Sequence, residues 1–352
     1  MNKRKLNFIT IDDKGYSRSW NYYSGAKKLG ENVEFFKINH KHLFKSFLKL
    51  RTKLDPQDIY IVMSPSHYLV LFVRIFLGKN IVLDSGWSLF EGTVISRKKN
   101  GLLMNNLLKI YIIDFIAAHF AQKIILESES QKKYYSSLFL IRKSKCFTLF
   151  TGVDEDAFTK IASNSLPPDY FNNSKIVLFR GKYNIESGID TLAEASMLLK
   201  DKMITFWVFC PGLPEKFVFS KNTFVQRESI NSKKELASIY DAAAVTLGQM
   251  SNHPRLSRTI PHKAFESAFL GKPYISARAA GISELFKDKS EILFFEPANS
   301  KDLANKILEL IENPEKLKYM SKAIRKKYDS YCSQYVLAKK FISIIESKQS
   351  AI

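Results

Sequence analysis

Short apolar runs and helix-period segments alternate along the whole chain. The runs are rich in β-branched and aromatic residues, which favour strands. They cover residues 6–11, 33–38, 59–63, 81–84, 123–127, 146–150, 175–179, 204–210, 223–228, 244–248, 273–279 and 292–295. Between most of them apolar positions recur with the helical period, as in residues 302–311, where Leu303, Ile307 and Leu310 share one stripe. This alternation predicts an α/β protein whose parallel sheets are covered by helices on both faces.

The number of predicted strands favours two domains. Two sets of about six strands fit two sheets better than one, and 352 residues suffice for two domains. Residues 151–174 are polar, proline-rich and turn-prone, so we place the break there. Each half then forms a doubly wound sheet, which binds ligands at the carboxyl ends of its strands.

Basic residues outnumber acidic ones, and the formal net charge is +20. Such an excess suits nucleic acid, an anionic lipid surface or solubility alone. The basic residues are spread along the chain without a helix-turn-helix, zinc-finger or RNP-type motif, so no nucleic-acid partner is expected. The cysteines at positions 146, 210 and 332 have no paired spacing, which disfavours disulfides and zinc sites and favours a reducing compartment.

The chain shows no targeting or membrane-spanning pattern. Its first residues, MNKRKLNFITID, lead into a strand-like run without the apolar core of a signal peptide. The longest apolar run, residues 68–77, is too short to cross a bilayer and contains Arg74. Residues 97–110, RKKNGLLMNNLLKI, fit a membrane-surface helix and a core helix equally well. We therefore expect a cytoplasmic protein and leave peripheral attachment to the inner face of the cell membrane open.

The stretch from residue 258 to residue 284 reads RTIPHKAFESAFLGKPYISARAAGISE and carries the clearest chemical signal. Pro261 suits the first turn of a helix that ends at Gly271, and Lys263 and Glu266 share one face of that helix. Arg258 and Lys263 then lie beside a helix N-terminus, where an anion such as a diphosphate fits and Glu266 is free to accept hydrogen bonds from hydroxyl groups. The alternatives are a surface ion pair between Lys263 and Glu266 and a solvated Arg258.

A second candidate for anion binding follows the strand at residues 175–179. Arg180, Gly181 and Lys182 form the turn, and a helix follows Gly188. A strand, a glycine turn, a cation and a helix together make a plausible phosphate cradle. An ordinary turn with a surface lysine is the alternative, because single glycine turns are common in such folds.

Taken together, these segments resemble glycosyltransferase family 4, the group 1 glycosyltransferases of GT-B fold. VLFRGKYNIESGIDTLAEA resembles the start of that family's C-terminal domain, and TIPHKAFESAFLGKPYISARAAGISELF resembles its nucleotide-sugar segment. TGVD, followed by Phe158, resembles the domain boundary. The resemblance implies two Rossmann-like domains facing a central cleft. Residues 1–152 would bind the acceptor, with a C-terminal helix within 333–352 packing back on them, and residues 153–332 would bind the nucleotide-sugar.

The resemblance also implies roles for individual residues of the donor site. Lys182, next to Gly181, would neutralise the donor diphosphate, and Glu266 would accept hydrogen bonds from the ribose hydroxyls. Gly281, Ile282 and Glu284 would lie in the donor loop after the next strand.

The chain departs from the family pattern at two positions. Arg258 stands where the family's E-x7-E segment has its first glutamate, and Ser187 stands where it has a second phosphate-binding lysine. Either Arg258 or Lys263 would then supply the missing charge, as in the P-x-K-x-x-E variant of this helix. We interpret the departure as a subfamily feature.

The N-terminal half gives a weaker match, and its candidates follow two strands. Asp84 ends a predicted strand and is the candidate catalytic residue on the acceptor side, although a turn or helix-capping aspartate is the alternative. Trp87 and Phe90 follow it and would contact the acceptor. Gly15 and Arg18, after the first strand, match the family's glycine loop loosely and would face the diphosphate.

The sequence therefore predicts a transferase that moves a sugar from a nucleotide-diphosphate sugar to a glycan or lipid-linked acceptor in surface polysaccharide or glycolipid biosynthesis. Lys182 and Arg258, with Asp84, are its candidate catalytic residues. Family membership implies retention of anomeric configuration, no cofactor and no obligatory metal. Two alternatives stay open: a GT-B nucleotide-sugar epimerase, and a non-catalytic basic protein that binds membrane or nucleic acid.

Overall fold

The structure is a computed structural model that describes residues 4–11, 17–95, 104–158, 166–167, 173–230 and 232–347. The chain divides into two compact units. Unit 1 comprises Met1–Gly152 together with Gln334–Ile352, and unit 2 comprises Val153–Ser333. Each unit is built around one parallel sheet.

Each sheet contains six described strands, numbered here in chain order. In unit 1 they are β1 (Leu6–Thr10), β2 (Val33–Lys37), β3 (Ile59–Met63), β4 (Ile81–Gly86), β5 (Lys123–Leu126) and β6 (Cys146–Thr148). In unit 2 they are β7 (Lys175–Arg180), β8 (Ile204–Phe209), β9 (Thr223–Gln226), β10 (Val245–Leu247), β11 (Tyr274–Ala277) and β12 (Leu293–Phe295). The sheet orders are β2-β1-β3-β4-β5-β6 and β12-β11-β10-β7-β8-β9. All pairs in both sheets are parallel, which confirms the predicted α/β class with two doubly wound sheets.

Helices occupy the connections between the strands. In unit 1 they are α1 (Ser17–Lys28), α2 (Leu43–Arg51), α3 (Leu69–Phe76), α4 (Met104–Phe120), α5 (Glu129–Leu138) and α13 (Gln334–Glu346). In unit 2 they are α6 (Glu155–Phe158), α7 (Ile189–Leu198), α8 (Lys233–Ala242), α9 (His262–Phe269), α10 (Ala280–Ser283), α11 (Ser300–Ile311) and α12 (Pro314–Tyr331). None of the described helices is both long and apolar enough to cross a membrane.

The sheet of unit 1 buries apolar side chains on both of its faces. Successive residues of β1 show the alternation: Ile9 joins the core beneath α2, α3, α4 and α5, whereas Phe8 joins the core beneath α1 and α13. Tyr22 of α1 stacks on Phe341 of α13 at a centroid distance of 5.1 Å in that second core. Side chains on opposite faces of every central strand explain why these strands read as continuous apolar runs.

Lys123, at the start of β5, ties the C-terminal helix α13 to the sheet of unit 1. Its Nζ donates hydrogen bonds to the carbonyl oxygens of Ile344 (2.6 Å) and Ile345 (2.7 Å) and of Ser347 (2.5 Å). The last carbonyls of a helix lack partners within the helix and carry partial negative charge. A lysine ammonium there supplies both the missing hydrogen-bond donor and a compensating positive charge.

In unit 2, β7 is the first strand in sequence and lies between β8 and β10. The chain therefore winds outward in both directions from the gap between β7 and β10. Every residue of β8 is buried, and the core beneath it includes Phe206, Val208 and Leu192 of α7. In open α/β sheets, the carboxyl ends of the two strands at such a reversal form the usual ligand crevice.

Candidate functional site

The candidate site of unit 2 lies at the carboxyl ends of β7 and β10. Gly181 and Lys182 follow β7, and Gly248 and Gln249 follow β10. Helix α9 begins close by at His262, so Lys263 in its first turn reaches the same place. This is the reversal point of the sheet, where the strand ends leave space for a ligand.

Lys263 is a buried cation at this reversal point, with an exposed fraction of 6%. Its Nζ donates hydrogen bonds to Gln249 Oε1 (3.0 Å) and to the carbonyl oxygen of Gly248 (3.3 Å). The same atom lies 4.0 Å from the ring centroid of Phe179. Burial, and secondarily the charge of Arg180, lowers the pKa of Lys263 to about 7. An ammonium held in this way gains from a nearby anion, because a negative charge restores its protonated form.

Glu266, one turn further along α9, is also buried. Its Oε2 accepts a hydrogen bond from the Tyr240 hydroxyl (2.8 Å), and its Oε1 pairs with His262 Nδ1 (3.0 Å) and with Arg180 Nη2 (3.4 Å). Burial alone would raise its pKa, but the charge of Arg180 and the hydrogen bonds from His262 and Tyr240 lower it to about 2. Glu266 is therefore a fixed carboxylate.

These contacts differ from two of our expectations for α9. Among the described residues, Lys263 and Glu266 do not pair with each other: Lys263 contacts Gly248 and Gln249, and Glu266 contacts Arg180. This excludes the surface ion pair. Glu266 is also less open than expected, since each of its oxygens already accepts a hydrogen bond from a protein donor.

Glycines allow backbone segments to approach closely around this site. A Cβ on Gly248 would lie 2.4 Å from Ser276 Oγ and 2.6 Å from the Tyr274 hydroxyl. A Cβ on Gly181 would lie 3.2 Å from Lys263 Nζ, so the turn after β7 rests directly on that ammonium. Gly281 fulfils a packing role, because a Cβ there would lie 2.6 Å from the carbonyl oxygen of Thr259.

The remaining donor-side candidates lie around Lys263 with different exposures. Lys182 is exposed, and Arg258 is half-buried at the end of the 3-10 turn Pro254–Ser257. Ile282 is buried in the core of unit 2 and Glu284 is exposed. The roles of these residues and of Gly181 and Gly281 toward a donor stay predictions.

In unit 1 the structure corrects the interpretation of Asp84 and Arg18. Both side chains have no exposed surface, and Arg18 Nε donates to Asp84 Oδ1 at 2.7 Å. Asp84 Oδ2 accepts from Ser19 Oγ at 2.9 Å, and Arg18 Nη1 donates to the carbonyl oxygen of Leu149 at 2.9 Å. Burial lowers the pKa of Arg18, but the charge and hydrogen bond of Asp84, together with Tyr22 and Glu127, outweigh burial and raise it. This buried ion pair joins α1 to β4 and to the segment after β6, so neither side chain presents itself to a substrate.

Trp87 and Phe90, the acceptor-side candidates, are half-buried in the segment that follows β4. The Phe90 amide donates to Asp114 Oδ2 at 2.9 Å, and the Phe90 ring packs edge-on against Tyr111 at 5.6 Å. Burial raises the pKa of Asp114 to about 7. Gly15 lies outside the described residues. The acceptor roles of Trp87 and Phe90 stay predictions.

Sequence reasoning did not assign the roles of several polar residues that build these sites. Arg180 and Tyr240 hold Glu266. Arg255 forms an ion pair with Glu186, in which Nη1 donates to both carboxylate oxygens at 2.9 and 3.1 Å. Arg180 carried a usable signal, because it is the last residue of a strand at the reversal point. The partners of the other residues lie far away in sequence, and no local pattern marks them.

Comparisons with known proteins agree with this architecture. The profile of the family described as "Glycosyl transferase-like" matches residues 191–336. An uncharacterised glycosyltransferase of Methanocaldococcus jannaschii is 24% identical over 254 residues, which make up 68% of this chain and 70% of that protein. The family profile over residues 191–336 and this relative together support a group 1 glycosyltransferase.

Solved structures show the same fold for this glycosyltransferase over nearly its whole length. HepE of Anabaena, crystallised with UDP-glucose, aligns over 98% of this chain and 100% of its own, with a TM-score of 0.68 and 13% identity. Sucrose-phosphate synthase of Thermosynechococcus elongatus aligns over 97% of this chain and 98% of its own, with a TM-score of 0.72 and 14% identity. A glycosyltransferase of Rickettsia africae aligns over 98% of both chains, with a TM-score of 0.67 and 13% identity. The fold is therefore GT-B.

Proposed function

We propose that this glycosyltransferase binds a nucleotide-diphosphate sugar at the carboxyl ends of β7 and β10 and transfers its sugar to a glycan or lipid-linked acceptor. The observation that carries the proposal is Lys263, a buried ammonium at the reversal point of the sheet, with a pKa lowered to about 7. A buried lysine is costly unless an anion compensates its charge. The diphosphate is the anion that a glycosyltransferase supplies.

The charges around Lys263 suit the departure of a diphosphate. Negative charge develops on the diphosphate as the bond to the sugar breaks, and cations already in place stabilise it without rearrangement. Lys182 is exposed beside Gly181, and Arg258 is half-buried before α9, so both lie in segments next to Lys263 and add positive charge there. The N-terminus of α9 adds partial positive charge.

Glu266 is proposed to receive the ribose hydroxyls. Its Oε2 accepts a hydrogen bond from the Tyr240 hydroxyl, and a carboxylate oxygen has lone pairs for more than one donor. Arg180, His262 and Tyr240 fix the orientation of this carboxylate. A carboxylate fixed in advance loses little conformational freedom when a ligand binds.

The finer assignments rest on the family resemblance. We propose that transfer retains the anomeric configuration, requires no metal or other cofactor, and serves surface polysaccharide or glycolipid biosynthesis. Trp87 and Phe90 in unit 1 would contact the acceptor. We further propose a cytoplasmic protein attached peripherally to the inner face of the cell membrane, because the net charge of +20 favours an anionic lipid surface.

A thermal-shift screen with UDP-, GDP- and ADP-sugars tests the donor site. At least one of them should raise the melting temperature of the wild type, because a ligand that binds only the folded state stabilises it. Lys263→Met should abolish the shift, and the exposed Lys318→Met on α12 should leave it unchanged. An unchanged shift in Lys263→Met, or no shift with any nucleotide-sugar, would overturn the assignment.

A further inference from the structure

The outer surfaces of α2, α3 and α4 in unit 1 expose large apolar side chains. Phe44 on α2 is 62% exposed, Ile75 on α3 is 63% exposed, and Leu108 on α4 is 57% exposed. Leu48 and Ile112, one turn further along α2 and α4, are more than 40% exposed. We call these residues the α2–α4 face. Exposed apolar side chains on neighbouring elements are typical of an interaction surface.

The three helices lie side by side on one face of the sheet. They all pack on the core that contains Phe47, Val73 and Ala117, and α3 contacts both α2 and α4. Phe44 packs edge-on against Phe76 with ring centroids 5.3 Å apart. The exposed apolar side chains therefore belong to adjoining helices of a single surface.

The charges on these helices have one sign. Lys45, Lys49 and Arg51 lie on α2, Arg74 on α3 and Lys109 on α4. Asp114 is the only carboxylate in the three helices, and it is buried. Elsewhere basic and acidic side chains pair: on α11 and α12 of unit 2, Lys306 pairs with Glu309, and Arg325 with Asp329. The α2–α4 face is thus apolar and basic, without the mixed charges of an ordinary solvated surface.

A groove beside Phe76 gathers three of the cations of this region. It has a volume of about 640 Å³ and is lined by Arg51, Arg74 and Lys79, together with Ile75 and the amide Gln57. None of the described residues that line it carries a carboxylate.

The carboxylates nearest to the groove in sequence, Asp55 and Asp58, are not among its lining residues and accept hydrogen bonds from amide groups. Asp55 accepts a hydrogen bond from the backbone amide of Gln57. Asp58 accepts hydrogen bonds from the backbone amide of Lys5 and from the side-chain amide of Asn7. The lining of the groove carries three cations and no carboxylate among the described residues, so the groove suits a phosphate group.

We propose that the α2–α4 face docks on an anionic phospholipid bilayer, with a headgroup phosphate in the groove of Arg51, Arg74 and Lys79. Phe44 and Ile75 then enter the interfacial layer of the lipid, and the basic side chains contact headgroups. Nucleic acid would satisfy the cations but leave the aliphatic side chains in water, so the bilayer fits both properties. The inference deepens the peripheral attachment proposed above and does not depend on the donor site.

Vesicle co-sedimentation tests the proposal. The wild type should bind vesicles of phosphatidylcholine with one-fifth or more phosphatidylglycerol, bind pure phosphatidylcholine far more weakly, and dissociate as salt rises. Arg51→Gln, Arg74→Gln and Lys79→Gln combined should weaken partitioning about 100-fold, at about fivefold per charge. Phe44→Ser with Ile75→Ser should weaken it at least tenfold, because two exposed apolar side chains no longer enter the lipid.

Matched variants in unit 2 serve as controls. Lys318→Gln with Lys322→Gln removes charges, and Met203→Ser with Val218→Ser removes exposed apolar side chains; all of them should bind vesicles like the wild type. Three results would overturn the proposal. They are equal losses of binding in the controls, equally strong binding to neutral and anionic vesicles, and binding of single-stranded RNA without vesicle binding. So would glycerol 3-phosphate binding in the groove with no vesicle binding. The nucleotide-sugar thermal shift should stay intact in every variant, so failure here is distinguishable from failure of the donor site.

Discussion

Replacing Lys263 with methionine should stabilise unit 2 while removing donor binding. The ammonium of Lys263 is buried, and its pKa falls from 10.5 to about 7. A lysine whose pKa is lower in the folded state binds a proton more readily in the unfolded state, so its charge opposes folding at neutral pH. Methionine fills a similar volume without that charge. Opposite effects on stability and ligand binding are typical of a binding residue held in an unfavourable environment.

The magnitude follows from the contacts of the ammonium. Lowering the pKa of Lys263 from 10.5 to about 7 means that keeping the buried ammonium charged costs roughly 5 kcal/mol of folding free energy. Methionine forfeits the bonds to Gln249 and Gly248 and leaves those acceptors without this donor, which costs about 1–3 kcal/mol. It also forfeits the charge contact with Phe179. We therefore expect Lys263→Met to raise the free energy of unfolding by about 2 kcal/mol at neutral pH.

Urea denaturation at several pH values measures this effect. Trp207 is buried in β8 of unit 2, so its fluorescence reports that unit once Trp20 and Trp87 are replaced by phenylalanine. Because the unfolded state binds the extra proton, the free energy of unfolding of the wild type should rise with pH. Between pH 7 and 9 it should rise relative to that of Lys263→Met by up to about 1.4 kcal/mol per pH unit. A destabilised variant, a pH-independent difference between the two proteins, or an unchanged nucleotide-sugar shift would refute the reasoning.

Three further substitutions test other contacts. Asp84→Ala should lower the free energy of unfolding of unit 1 by about 3–5 kcal/mol, because it leaves Arg18 buried without its carboxylate; loss of transfer with unchanged stability would instead restore Asp84 as a catalytic residue. Glu266→Gln should abolish the nucleotide-sugar shift and cost roughly 3 kcal/mol above pH 4.5, a difference that acid titration should show shrinking as the pH falls toward 2. Lys123→Met should accelerate amide hydrogen exchange about tenfold in the last turn of α13. An unchanged exchange rate in that turn would contradict the anchoring role of Lys123.

The fold was predictable because burial on both faces of a parallel strand leaves a continuous apolar run. Each of the twelve predicted runs overlaps one strand of the structure, and the errors lie at the strand ends. The run at 146–150 forms a strand only to Thr148, although the Leu149 side chain is still buried and its amide still donates to the carbonyl oxygen of Leu126 at 2.8 Å. Burial, which the sequence pattern detects, continues past the last residue of the strand.

The site was predictable only where its residues are close together in sequence. Lys263 and Glu266 could be placed on one helix from their spacing and from Pro261, and α9 does begin at His262. The partner of Asp84 lies 66 residues earlier, at Arg18, and a strand-end aspartate gives no sign of a buried partner. Arg180, for the same reason, could not be assigned to Glu266 from the sequence.

Hydrogen exchange with the best nucleotide-sugar from the screen tests the donor site most directly. Exchange of backbone amides should slow in residues 181–187, 248–253 and 258–266 of the wild type, because these segments surround Lys263 at the ends of β7 and β10. The same nucleotide-sugar should leave exchange in Lys263→Met unchanged. Slowed exchange confined to unit 1, or protection of equal extent in Lys263→Met, would contradict a donor site built on this lysine.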